Sequence, residues 1–213
     1  MDTRKLIDVL ASEPVPVAAG GLRRRFFIAL VVGGAGAFAL MLAYLGLRPD
    51  LAVVARTPMF WVKLGFPLAL LAIALVGAGR LARPGVPLGR AAVAPLVPIG
   101  LIWILGVVVL FYLAPGERLA ALFGATWKVC PFNITVLSLP AFAAALWVMK
   151  GMAPTRPVAA GAFSGLLAGA LGATVYCLHC PEMAPPFIGT WYLLGILIPA
   201  AAGAALGPRL LRW

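Results

Sequence analysis

Residues 91–113 read AAVAPLVPIGLIWILGVVVLFYL, a run without one charged side chain. A helix of roughly 20 residues crosses a hydrocarbon core about 30 Å thick, so this stretch is long enough to span a bilayer. Working outward from Ala91–Leu113, five more runs read the same way: Phe26–Leu45, Met59–Ala78, Asn133–Met149, Val158–Leu178 and Ile188–Leu206. Asn133–Met149 is the shortest, and its apolar character extends back toward Cys130. All six are rich in Ala, Leu, Gly and Val, and none alternates as a membrane barrel strand does. The expected fold is all-α: a polytopic membrane protein of six transmembrane helices (26–206), with a tail at 1–25 and a short end at 207–213.

Composition agrees. The 213 residues are 63% hydrophobic and 11% charged, with mean hydropathy +1.06. A soluble domain is nearer half apolar and a quarter charged, and a soluble fold of this size has no interior for the excess. Seventeen Lys and Arg against six Asp and Glu give a net charge of +11. In a soluble chain that balance suggests nucleic acid. Here the charges fall at the ends of apolar runs, where they orient helices and meet headgroups. The expected contact is therefore the bilayer, with no nucleic acid bound directly. Twelve basic residues, from Arg4 and Lys5 through Arg23–Arg25, Arg80, Arg83, Arg90, Lys150, Arg156, Arg209 and Arg212, lie in alternate connections. Four lie in the others (Arg48, Arg56, Arg118, Lys128), and Lys63 is left at the start of the second run. The positive-inside rule then predicts both termini in the cytoplasm. Arg23-Arg24-Arg25-Phe26-Phe27 loosely resembles a twin-arginine signal, but five further runs favour a basic stop before a first membrane helix.

The middle of each run lacks acids, bases and histidine. Ionisable groups there are costly and persist for a purpose, so their absence speaks against a pump or permease. The hydroxyls of Thr135, Ser138, Ser164 and Thr174 are expected to bond their own helix backbone. Gly161-x-x-x-Gly165-x-x-x-Gly169 and Gly203-x-x-x-Gly207 let helix backbones approach closely, and are expected to pack the bundle internally.

Reactive groups gather at one predicted surface, opposite the basic one. Cys130-Pro131-Phe132-Asn133 opens the fourth run, and Cys177-Leu178-His179-Cys180-Pro181-Glu182 closes the fifth. In a bacterium this face is periplasmic, where thiols are readily oxidised. Three readings fit. The cysteines could simply pack as small apolar residues. They could form a redox switch: a pair within Cys177-x-x-Cys180 closes one helical turn and constrains little, whereas Cys130 with Cys180 or Cys177 staples two helices. Cys180 is preferred because it and Cys130 both precede a proline at a helix boundary. Or Cys130, Cys177, His179, Cys180 and Glu182 could bind a thiophilic metal such as Zn²⁺, Cd²⁺ or Cu⁺, as a signal rather than a resident cofactor. The sequon Asn133-Ile134-Thr135 falls at the membrane and reads as a chance match.

In the tail, Asp2 or Thr3 can cap a short helix with Leu6, Ile7 and Leu10 on one face, ended by Pro14 and Pro16. It is too short to be stable alone. It either lies on lipid or folds into the groove of a soluble partner.

On several of these stretches the chain resembles a bacterial family, the NrsF-type negative regulators of extracytoplasmic-function sigma factors. The stretches are Thr3-Arg4-Lys5-Leu6-Ile7-Asp8-Val9-Leu10-Ala11 with Pro14-Val15-Pro16-Val17, the Cys130-Pro131 pair, His179-Cys180-Pro181-Glu182 through Phe187 to Trp191-Tyr192, and the terminal Leu210-Leu211-Arg212-Trp213. The resemblance implies an inner-membrane, multi-pass anti-sigma factor that holds a soluble cytoplasmic sigma factor. Heavy metal or oxidant, acting through two cysteines on the outer side, would release it. Those cysteines match Cys130 and Cys180; Cys177 has no counterpart in the pattern. The sigma-contacting residues would be Leu6, Ile7 and Leu10, helped by Arg80, Arg83, Arg90 and Arg156. No enzymatic activity is expected. The rival readings are a thiol oxidoreductase that exchanges Cys177 and Cys180 with a quinone, and a metal permease.

Overall fold

The structure is a computed structural model that describes residues 2, 3, 5, 7, 8 and 20–212. Those residues form no strand. Over residues 20–212 eight helices follow one another: α1 (Gly20–Tyr44), α2 (Leu51–Val54), α3 (Pro58–Leu81), α4 (Leu96–Tyr112), α5 (Arg118–Phe123), α6 (Cys130–Lys150), α7 (Pro157–Tyr176) and α8 (Pro185–Leu210). In the tail, Thr3, Lys5, Ile7 and Asp8 are helical and exposed; the predicted contact residues Leu6 and Leu10 lie outside the described residues.

Proline sets the starts. Pro58, Pro131, Pro157 and Pro185 each stand in the first turn of α3, α6, α7 and α8. There the missing N–H is one the helix would leave unbonded anyway, and the fixed φ suits the helix. Gly46, at φ +76°, turns the chain out of α1, and its N–H bonds the Met41 carbonyl at 2.8 Å.

Five segments are long and apolar enough to cross a membrane: Arg24–Tyr44 of α1, then α3, α6, α7 and α8. The third predicted run is corrected. Only Leu96–Tyr112 is α-helical, 17 residues and about 25 Å of rise, at the lower limit for crossing a bilayer core. Gly89–Ala92 form a 3-10 turn, and Pro95 stands just ahead of α4. The apolar pattern overran a backbone that glycine and proline had already broken. The other boundaries shift by a few residues: α6 begins at Cys130 and α8 at Pro185.

Helix α7 is the hub, packed against α8, α6, α3 and α1. Its small residues allow this. A Cβ at Gly161 would run into the Gly203 carbonyl, one at Gly165 into the Pro199 carbonyl, and one at Gly207 into the Pro157 carbonyl. The glycine spacings therefore seat α7 on α8 within one chain, as expected. Gly172 lies against the Ile134 carbonyl of α6, 2.8 Å from where its Cβ would stand. The four hydroxyls bond backward as expected: Thr135 to Pro131, Ser138 to Thr135, Ser164 to Ala160 and Thr174 to Ala170. Outward, α1 and α4 expose Phe27, Val32, Leu101, Ile104 and Phe111. That apolar belt is what helices facing lipid present.

Candidate functional site

The site is built where helix ends meet. Cys130 is the first residue of α6, Cys177 caps the end of α7, and Cys180 lies in the irregular stretch that leads to α8. All three are free thiols, fully buried. The structure brings the Cys130 thiol beside the Cys180 sulfur. The Cys130 thiol at its side holds the Cys180 thiol below the usual range, against desolvation and with help from the Lys63 charge. Cys177 is different. Its thiol donates to the Lys63 carbonyl at 3.8 Å, and burial pushes it up to about 12.

Lys63, left over in the charge count, proves central. It is wholly buried. Its ammonium donates to the carbonyls of Cys180 (2.6 Å) and Glu182 (2.8 Å) and stands 5.2 Å from the centroid of the Tyr192 ring. Arg48 also donates to the Cys180 carbonyl, at 3.2 Å, while a two-point pair with Asp50 (2.7 and 2.8 Å) holds its guanidinium. The Arg48 N–H reaches the Leu178 carbonyl at 3.2 Å, so the 45–50 connection is stitched to 178–180. A π-turn over Ile188–Tyr192 re-aims Tyr192 inward. Its hydroxyl turns toward Cys177 and Cys180 yet closes no hydrogen bond of good geometry.

The two remaining candidate ligands face elsewhere. His179 donates from Nδ1 to the Gly46 carbonyl, 2.9 Å away, since a carbonyl only accepts. Glu182 Oε1 accepts from the Ala125 N–H (2.8 Å), the Thr126 N–H (3.2 Å) and the Thr126 hydroxyl (3.3 Å). It thereby fastens the 118–129 connection over the site. Gly124, at φ +55°, makes room for that carboxylate. Trp191 adds a second tie, donating to the Leu122 carbonyl at 2.9 Å, with its ring 5.0 Å from that of Trp127. The predicted set of five metal ligands is thus not assembled. Among the described residues no three His, Cys, Asp or Glu side chains are grouped to hold a metal ion.

At the other end of the bundle, α1 and α3 leave a groove of about 760 Å³ between them. Arg24, Arg80 and Arg83 stand around it, with Leu22, Phe26, Phe27, Leu30 and Leu75 as apolar walls. Arg80 also donates to the Leu88 carbonyl at 3.0 Å. Arg90 and Arg156 are exposed and lie outside the groove.

Sequence reasoning missed Lys63, Arg48 and Tyr192. A signal existed for Lys63: a lysine inside an apolar run is a site candidate in its own right.

The family model described as negative regulator of sigma F matches residues 10–213. This chain belongs to the NrsF family. An NrsF relative from Azospira oryzae, "Probable anti-sigma-F factor NrsF", is 49% identical over the full length of both chains. "Anti-sigma-F factor NrsF" from Caulobacter vibrioides is 38% identical, again over the full length of both. No solved structure matches. By these names the relatives are regulators of a sigma factor.

Proposed function

We propose that this NrsF protein is an inner-membrane anti-sigma factor. It holds an extracytoplasmic-function sigma factor at its cytoplasmic face and releases it when Cys130 and Cys180, on the periplasmic side, are oxidised or bind a thiophilic metal. The carrying observation is the contact of those two thiols, one from a helix start and one from an irregular segment. Oxidation joins the two sulfurs, and two electrons and two protons pass to a two-electron oxidant such as a diazenedicarboxamide. A soft cation instead displaces the two thiol protons and bridges the sulfurs. Either product draws the 177–184 stretch toward the start of α6. The arginine-rimmed groove between α1 and α3, with the tail bearing Leu6, Ile7 and Leu10, suits an amphipathic segment of the sigma factor that carries carboxylates. Arg90 and Arg156 extend the same basic face.

Converting mostly bound to mostly free takes on the order of 5 kcal/mol of differential affinity between the two states, within reach of a disulfide or metal bridge. The test is transcription from a sigma-dependent promoter in cells carrying Cys130→Ser and Cys180→Ser together. Repression should persist, and induction by cadmium or oxidant should vanish. Normal induction in that double variant would overturn the sensing role.

A further inference from the structure

Lys63 makes three ties to one short segment. Its side chain holds the carbonyls of Cys180 and Glu182, and its own carbonyl receives the Cys177 thiol. The last tie exists because of the residue four positions on. Pro67 lies inside α3 and has no N–H, so the Lys63 carbonyl lacks the helix bond it would otherwise accept. A helix so interrupted is also a natural place to pivot. Below Pro67, α3 rises about 20 Å to Arg80, where Arg80 and Arg83 line the inner groove.

The surroundings decide which parts can move. Helices α6, α7 and α8 are locked by backbone contacts at Gly161, Gly165, Gly172 and Gly207, so Cys130 at the head of α6 is fixed. Cys180 lies in non-helical chain and must be the sulfur that travels when the pair closes. Its carbonyl is held by Lys63 and Arg48, so any shift of its backbone strains both. Among the packed helices, α3 rests on α7 and touches α4 lightly. Its outer end is tied to the 177–182 segment by Lys63.

We propose that Lys63 is a positioning residue: a latch between Cys180 and α3 that is closed while the thiols are free. Bridging Cys130 to Cys180 withdraws the Cys180 carbonyl and opens the latch. Helix α3 then swings about Pro67 and displaces Arg80 and Arg83. This rests on the functional reading above and deepens it. The signal crosses the membrane along α3, and Cys177 takes part as a hydrogen-bond donor to the latch rather than as a sensing thiol.

The test uses the full-length protein in its own membranes with the sigma factor present. A small membrane-permeant amine reagent is applied before and after thiol oxidation, and Lys63 and Lys128 are followed by mass spectrometry. Lys63 should be protected while the thiols are free and become at least about tenfold more reactive once Cys130 and Cys180 are joined; Lys128 should not change. Protection of Lys63 that survives the disulfide overturns the latch. In parallel, Lys63→Met, present in membranes at wild-type amounts, should retain little sigma factor without any oxidant, and Lys63→Arg should restore both retention and release. A Lys63→Met protein that holds and releases the sigma factor like wild type also overturns it. Should Lys63→Met fail to accumulate, the labelling of wild type decides alone. If oxidation exposes Lys63 but releases no sigma factor from wild type, the functional reading fails and the latch stands.

Discussion

The carbonyl oxygen of Cys180 offers two lone pairs, and cations from two different connections use them. Its sulfur meanwhile lies beside the Cys130 thiol. One residue is thus held by its backbone and made reactive by its neighbour, while Cys177, three positions earlier, is buried and held protonated. A lowered thiol keeps its thiolate as pH falls; an ordinary one, near 8.5, loses close to a hundredfold in alkylation rate from about pH 8 to about pH 6. Mass-spectrometric alkylation with a small neutral reagent should therefore show Cys180 slowing far less than that, with Cys177 unreacted throughout. A Cys180 rate that falls like an ordinary thiol would contradict the arrangement. Glu182 is a structural clasp rather than a ligand. Glu182→Ala would strip three donors of their acceptor, at about 1–3 kcal/mol, and should make the 118–129 connection the first point of protease cleavage. Of this site the sequence announced the thiols and the neighbouring histidine and acid, because Cys, His and Glu are rare in this chain. It did not announce that His179 and Glu182 would spend their polar atoms on backbone groups of distant connections. Nor did it reveal the partners of Lys63, which are carbonyls and carry no residue-type signature.

At the scale of elements, apolar run length alone located every helix of the bundle, because a spanning segment must be long, apolar and closed in its own hydrogen bonds. Its starts and stops followed proline and glycine, and the third run was overestimated where the end of the 3-10 turn at Ala91–Ala92 and then Pro95 precede the helix. Which face of each helix turns inward was far less legible, since α1 and α7 are apolar nearly all round between their ends and carry no charged side to point at lipid or bundle. The small-residue spacings were the exception, and they mark the α7–α8 seam. Gly165→Leu would drive a side chain into the backbone at Pro199 and Ala200. It should cost about 1–3 kcal/mol, read as an earlier midpoint in detergent denaturation. Gly65→Ala, with nothing within 4 Å of the new methyl, should leave the midpoint unchanged or raise it slightly.

Across the whole molecule the two chemistries are set at opposite ends: thiols, Lys63 and Arg48 at one, Arg24, Arg80 and Arg83 around a groove at the other. On the proposed function a signal from one to the other would travel through helices, and α3 carries a polar anchor at both ends, Lys63 and Arg80. On the proposed function, population shift gives this arrangement its meaning: two packings of one bundle, of which only one would suit a sigma factor. Removing residues 2–16 should lower sigma retention without altering thiol reactivity, because the tail and the cysteines belong to different ends. The most direct test is to purify the tagged protein with its sigma factor in mild detergent, split the sample, and oxidise one half. The sigma factor should stay with the reduced protein and leave the oxidised one in step with formation of the Cys130–Cys180 bond. A sigma factor that stays bound after that bond has formed would contradict the account.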